Sequence, residues 1–346
     1  MSEPPDDRSD PDSQASDSLA DGTAAGSQEA LREPLFRPLR FAMQLVGFAG
    51  GAALIVWCAW IAFTKADWSV LETADRGLVM LIAACSLVSM LCNGAIFWLA
   101  GRPLAPVSML EMQGINACAS VLNYAPVRLG AIVRIAYGLR ISRMTVGAMA
   151  AWFTFIGAGV AGIAFLGAAS AWLVPGGLLP TILAWIAAIS IAMAMLRWMA
   201  HRVSWSRVRS LRATIDDPAS LWGASALRMI DQVAWTGRMW AAASLIGLSL
   251  GPTQAILLAT VAILVSLNPL GRFGYREAAV AWLASTLATG ELDPTGIEAA
   301  FFQLAIIESV GEAIVLIPLG SIASVWCLRR LLGSRTGTTR RTADCR

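Results

Sequence analysis

Long uncharged stretches alternate with short charged turns along most of the chain. Residues 41–63, 77–100, 144–174 and 178–196 contain no Asp, Glu, Lys or Arg. Each is long enough to cross about 30 Å of hydrocarbon as an α-helix, which takes roughly 17–25 residues. These are predicted spans 1 to 4. Two further runs of helical length carry isolated charges. Span 5, 222–248, holds Arg228, Asp231 and Arg238 at offsets of three and seven, which places all three with Trp235 on one helical face. Span 6, 298–328, holds Glu308 and Glu312 one turn apart.

Two stretches break this pattern. Residues 251–271 and 278–290 are uncharged, yet Asn268-Pro-Leu-Gly-Arg-Phe-Gly-Tyr-Arg-Glu277 between them is broken by Pro269, Gly271 and Gly274 and charged at Arg272, Arg276 and Glu277. The second arm would reach only about 20 Å at 1.5 Å per residue, too short for a crossing. The pattern predicts a re-entrant hairpin, tolerated at membrane depth only where protein or a wet cavity surrounds the bare backbone. The polar helix 109–125, with Gln113, Asn116 and Asn123, ends at Pro126 and resumes as Val-Arg128-Leu-Gly130-Ala-Ile-Val-Arg134. It is a second element of the same kind.

Arg and Lys collect before span 1, around Arg102, at Arg140 and Arg143, over 197–212 and in the last 18 residues; the turns at 175–177, 251–252 and 291–293 have none. Short cytoplasmic loops accumulate such charge, so both termini are expected in the cytoplasm of a multi-pass plasma-membrane or bacterial inner-membrane protein. The expected fold is all-α: a polytopic membrane helical bundle of six full spans plus two oppositely oriented re-entrant hairpins. If both hairpins cross instead, ten spans have the same parity. The halves, about 39–175 and 176–330, repeat the order span, span, broken element, span with inverted orientation. Matching interruptions in inverted halves point to a transporter-like site near the midplane. Residues 1–38 are expected to form a disordered cytoplasmic tail, 39–330 the transmembrane domain, and 331–346 a basic cytoplasmic tail.

Composition narrows the chemistry. With 57% hydrophobic and 14% charged residues, the chain is too apolar for a soluble domain of this length, and a net charge of +3 gives no basic domain for nucleic acid. The six cysteines are scattered without a C-x-x-C pair, and His201 stands alone in an Arg-rich loop, so neither a metal site nor a Ser-His-Asp arrangement is expected. Gly157, Gly159 and Gly162 are expected to let helices pack closely. No phosphate-binding P-loop is present, so transport would draw on an ion gradient. No cofactor is implied.

The stretch from Asn268 to Glu277 resembles the P-G-G-L-G-V-R-E motif of the lysylphosphatidylglycerol synthase transmembrane-region family, the flippase-like domain. Asn123-Tyr-Ala-Pro126-Val-Arg128-Leu-Gly130-Ala-Ile-Val-Arg134 is similar to that family's N-x-x-x-P-x-R-x-G-E-x-x-R element. The resemblance covers about 40–330. Ala131 stands where the family has an acid, Arg272 where it has a second glycine, and no aminoacyl-transferase domain accompanies the spans. Lysyl-lipid synthesis is therefore not expected. The resemblance implies handling of a lipid with an anionic or phosphorylated head group.

A charge at the bilayer centre costs about 2.5–3.5 kcal/mol on insertion scales, so these groups need partners or water. Arg forks match phosphate oxygens bidentately. Arg128, Arg134, Arg272, Arg276 and Glu277 are therefore the candidate substrate contacts, with Asp231, Glu308 and Glu312 balancing charge or coupling protons. Pro126, Gly130, Pro269, Gly271 and Gly274 shape the two tips. The competing reading is that the charges pair among themselves and fix helix packing. A flippase-like lipid transporter is the first functional expectation. A membrane enzyme acting on a polyprenyl-phosphate or glycolipid, and a non-catalytic partner subunit of such an enzyme, are the alternatives. A homo-oligomer is open on the same grounds.

Overall fold

The computed structural model describes residues 38–65, 68–69, 72, 74–124, 129–174, 177–202, 209–267, 274–287 and 294–341. The regular elements are helices: α1 (Pro38–Lys65), α2 (Arg76–Gly101), α3 (Met109–Leu122), α4 (Leu129–Arg140), α5 (Val146–Leu173), α6 (Leu178–Arg202) and α7 (Arg209–Asp216). A π-helical turn (Ala219–Gly223) then opens α8 (Ala224–Leu245), followed by α9 (Pro252–Ser266), α10 (Tyr275–Leu287) and α11 (Pro294–Arg341). The expected tips at Pro126 and Arg128 and at Pro269, Gly271 and Arg272 lie outside the described residues, as does nearly all of the N-terminal tail. Two units are distinguished, Met1–Met43 and Gln44–Arg346. The second holds every contact described below.

Among the described residues, five helical stretches are long and apolar enough to cross a membrane: Leu45–Lys65, Arg76–Gly101, Val146–Leu173, Leu178–Arg202 and Ala299–Leu331. The chain is a helical multi-pass membrane protein. Helix α8, at 22 residues, has the length but carries Arg228, Asp231 and Arg238 on its buried side. Helices α3, α4, α9 and α10 have 14, 12, 15 and 13 residues. At 1.5 Å per residue they reach about 18–23 Å, short of a hydrocarbon core of about 30 Å.

Helices α2 and α8 form the central pair, and the other contacts come in matched sets. Helix α3 packs on α2, α4 and α11; α9 packs on α8, α10 and α5. Helices α5 and α11 each touch both central helices. Small side chains make this closeness achievable: Ala241, Ala242, Ala243, Ala259 and Ala262 are completely buried. Between apolar helices in lipid, such residues allow backbones to approach where the hydrophobic effect supplies no attraction. The glycines of α5 do something else. A Cβ placed on Gly157, Gly159 or Gly162 would meet nothing within 4 Å, so these positions border open space rather than a tight helix contact.

Local chemistry fixes the short helices. Ser108 and Glu111 form a capping box at the start of α3, with Ser108 Oγ accepting from Glu111 N at 3.3 Å and Glu111 Oε2 accepting from Ser108 N at 3.4 Å. Glu111 Oε1 also takes Arg330 Nη1 at 2.5 Å, tying α3 to α11. At the start of α10, Gly274 has φ +83°, and its Cβ position would lie 1.7 Å from the Gly51 carbonyl oxygen of α1. Both the backbone conformation and the space require glycine. Tyr275 Oη donates to Gly47 O at 2.9 Å, and Glu277 Oε2 accepts from Gly274 N at 2.8 Å. Gly130 is the counterpart in the first broken element, where a Cβ would fall 2.1 Å from Ala119 O.

One end of the central pair is closed by Asp217. It accepts from Arg102 Nη2 at 2.9 Å, Ser220 N at 3.0 Å and Ser220 Oγ at 2.6 Å. Burial raises the Asp217 carboxyl, but the Ser220 hydrogen bonds and Arg102 outweigh it and hold the group below its usual value.

Gly274→Ala is expected to lower the thermal midpoint, at a cost on the order of 1–3 kcal/mol or more for a non-glycine residue forced into this backbone region. Gly147→Ala, where the added Cβ meets nothing within 4 Å, serves as the control in fluorescence-detected size-exclusion melts. A depressed carboxyl contributes stability above its unfolded value of about 3.9, and that contribution disappears as pH falls through the folded value. Asp217→Asn should therefore destabilise at pH 7. The gap from the parent protein should close as pH drops below about 4.

Candidate functional site

Among the described residues, eight Arg, Asp and Glu side chains lie buried inside the bundle: Arg134, Arg228, Asp231, Arg238, Arg276, Glu277, Glu308 and Glu312. They form three groups. The largest joins α8, α10 and α11. Arg276 Nη1 meets Glu312 Oε2 at 2.6 Å, while its Nη2 lies 3.1 Å from Glu277 Oε1 and 3.2 Å from Glu308 Oε2. Ser309 Oγ also pairs with Arg276 Nη2, and donates to Glu277 Oε1 at 2.5 Å. Arg238 Nη2 lies 2.5 Å from Glu308 Oε1 and 3.7 Å from Glu312 Oε2. The first of these contacts is off the hydrogen-bonding axis, so charge attraction rather than a directed bond holds it. The Trp235 ring faces both guanidinium groups, at 4.2 Å from Arg238 and 5.6 Å from Arg276.

The second group brackets the central pair. Arg228 Nη1 donates to Asp231 Oδ2 at 2.6 Å and to Asn93 Oδ1 at 3.0 Å. Asp231 Oδ1 accepts from Ser89 Oγ at 2.6 Å and Asn93 Nδ2 at 3.2 Å. Each oxygen of the buried carboxylate thus has a donor, as a buried ion must to offset its desolvation. The third group is Arg134 with Asn116. Arg134 Nη2 donates to Asn116 Oδ1 at 2.7 Å, and its guanidinium sits 4.3 Å from the Phe97 ring centroid. Its Nε has no hydrogen-bond partner, and among the described residues no carboxylate pairs with it.

If all eight groups are ionised, the first group carries two guanidiniums against three carboxylates, a net charge of −1. The Arg228 group is neutral, and Arg134 stands at +1. Each group reaches the wall of one cavity of about 300 Å³, through Arg134, through Arg228 with Asp231, and through Glu312. Asn116, Asn123, Ala131 and Arg134 line it from the first broken element, and Ser266 and Leu267 from the end of α9 just before the second tip. Arg228, Asp231 and Glu312 are the other charged groups among the described lining residues, beside the polar Ser86, Ser89, Asn93 and Ser120. At roughly 30 Å³ per water, this volume holds about ten waters or a hydrated phosphate group.

The site residues foreseen from sequence therefore divide. Arg134, Asp231 and Glu312 line the cavity; Arg276, Glu277 and Glu308 lie behind it, in the α10–α11 ion-pair group. Gly130 and Gly274 set the helix approaches beside the two tips. Arg228, which shares a helical face with Asp231 in the sequence and is not among the candidate site residues there, also borders the cavity. Ser89 and Asn93 escaped the sequence reading. With Ser86, they recur at offsets of three and four in the otherwise apolar α2, a one-sided polar stripe at helical spacing. Ser309 had no such signal.

Among the described residues, no group of three or more His, Cys, Asp or Glu side chains could hold a metal ion, and the five described cysteines are free. Compared with known proteins, the chain matches no family model, no curated protein and no solved structure.

Breaking a buried pair by removing one partner costs about 3–5 kcal/mol, because the other charge is left without compensation. Asp231→Ala should produce a loss of that size in thermal or denaturant unfolding. Arg228→Met combined with Asp231→Leu removes both charges and should be less destabilising than the single change. A double variant no more stable than Asp231→Ala would overturn the ion-pair account of this bracket.

Proposed function

We propose that this protein is a flippase-like lipid transporter whose cavity takes an anionic or phosphorylated head group between its two broken elements. The observation that carries the proposal is Arg134: a buried guanidinium on the cavity wall, with an unpartnered Nε and no ion pair among the described residues. An uncompensated buried charge is costly, and a phosphate oxygen is the chemical complement of a guanidinium N–H. Arg228, already oriented by Asp231 and Asn93, adds a second guanidinium to the wall. Arg128 and Arg272 belong to the tips themselves in this reading, while Arg276, Glu277 and Glu308 brace the start of α10.

The finer architecture proposed with it has six crossings, α1, α2, α5, α6, α8 and α11, and two re-entrant hairpins, α3–α4 and α9–α10. The hairpins enter from opposite faces, in inverted halves. Three observations support this: the short arms, the matched packing of α3 on α11 and α9 on α5, and the pairing of α2 with α8 at the centre. In this reading both termini face the cytoplasm, on the side of the basic loops, and the protein resides in the cell membrane. The transported partner is a membrane lipid.

Chemically, the Arg134 charge and the excess carboxylate of the Glu312 group define what the cavity exchanges. An arriving phosphate neutralises Arg134 and replaces part of the water that solvates it. The Glu312 carboxylate, on the same cavity, repels that anion. A proton on Glu312 relieves the repulsion, which is the route by which an ion gradient drives the step.

The test is leaflet exchange of fluorescent phosphatidylglycerol and phosphatidylcholine in reconstituted vesicles, read by quenching of the outer leaflet. The expected result is exchange that favours the anionic lipid and falls at least tenfold in Arg134→Gln. Arg134→Lys should retain part of it, since the charge remains while the fork is lost. Equal exchange by the parent and Arg134→Gln sinks the proposal. Covalent change of the lipid establishes the membrane-enzyme alternative instead.

A further inference from the structure

Resting on the lipid-handling reading, we infer that the protein holds one hydrocarbon chain of its substrate in a second, apolar slot beside the polar cavity, with Gly157 and Gly159 of α5 leaving room on either side of their shared wall. The slot has a volume of about 180 Å³ and lies between α5, α6, α7 and α8, lined by Phe155, Gly159, Ile163, Met193, Leu196 and Ile215 among others. Among the described residues, Arg228 is the one ionisable side chain on its wall. Arg228, Ile156 and Val160 border both spaces.

The two cavities therefore share a boundary, and the boundary has the polarity of an amphiphile. On one side stand Arg134, Asn116, Asp231 and Glu312; on the other stand aliphatic and aromatic side chains. Arg228 marks the change between them, where a phosphate joined to a hydrocarbon would put its ester oxygen. The glycines of α5 fall on either side of this boundary. Gly157 lines the polar cavity and Gly159 the apolar slot, and a side chain at either would project into space that no protein atom fills within 4 Å. In a helix interior, glycine is less favourable than alanine by about 1 kcal/mol, so two glycines that allow no close helix contact need another reason. Open passage for a ligand supplies it.

The size of the slot sets the class. At roughly 30 Å³ for a group the size of a water or a methylene, it takes about six carbons of a single chain. Two acyl chains side by side do not fit. The occupant is the head-proximal part of one acyl or polyprenyl chain, with any remaining hydrocarbon in the bilayer.

The test is a series of alkyl phosphates from methyl to octyl, titrated calorimetrically into the full-length protein in phosphatidylcholine nanodiscs, with empty nanodiscs as the blank. Each buried methylene is worth about 0.8 kcal/mol, or about fourfold in affinity. Affinity should rise by that factor per carbon and level off near about six carbons, the limit set by the slot volume. Gly159→Leu fills the slot and should flatten the chain-length dependence while leaving methyl phosphate binding unchanged. Met193→Trp, from the opposite wall, should do the same if Gly159→Leu fails to give a monodisperse protein. Gly162→Leu, which lines neither space, should leave the whole series intact. A chain-length dependence that survives both slot variants, or one that is flat in the parent, overturns the slot alone, provided methyl phosphate binding still requires Arg134. Methyl phosphate that does not bind, or binds Arg134→Gln equally well, overturns the lipid-handling reading and the slot together.

Discussion

Moving an ion from water into a protein interior costs several kcal/mol even after relaxation, and among the described residues four guanidiniums and four carboxylates are buried in this bundle. Everything else about the interior follows from how that cost is met. Asp231 is satisfied on both oxygens by α2 and α8, which makes the central helix pair a hydrogen-bonded unit as well as a packed one. Arg276 is surrounded by three carboxylates and a serine, which locks the first turn of α10 onto α11. Arg134 has an amide, an aromatic face and a cavity, and no carboxylate among the described residues. The ion-paired groups build the scaffold, and Arg134 faces the cavity.

The packing is close to symmetric, but the chemistry is not. Helices α3 and α9 make corresponding contacts, as do α2 and α8. Yet α11 supplies Glu308 and Glu312 where α5, its counterpart in the matched packing, presents Trp152, Ile156 and the open glycines. A phosphate head group and a hydrocarbon chain require unlike surroundings. The charged wall draws on α4, α8 and α11, and the apolar one on α5, α6, α7 and α8.

Much of the architecture was legible in the sequence because membrane crossing imposes a length and a polarity that a chain cannot disguise. The uncharged runs became α1, α2, α5 and α6, and the proline and glycine breaks separate α3 from α4 and α9 from α10. The buried face of α8 could be read from the offsets of Arg228, Asp231 and Arg238. What periodicity cannot supply is the choice of partner across helices. Nothing in the order of residues says that Arg276 joins Glu312 rather than a ligand, or that Asn93, 138 positions away, reaches Asp231. The α5 glycines show the same limit from the other side. Small residues in a membrane helix read as a packing stripe, and only the neighbours decide whether they meet a backbone or a void.

The contact between Gly274 and Gly51 carries a consequence for α1. Its backbone serves as a template: the carbonyls of Gly47 and Gly51 receive the first turn of α10 at a distance that leaves no room for a side chain. A generic apolar anchor of the same length, exchanged for α1, would still hold the chain in a bilayer. It would not reproduce that seam, and the first turn of α10 would lose the backbone surface it rests on.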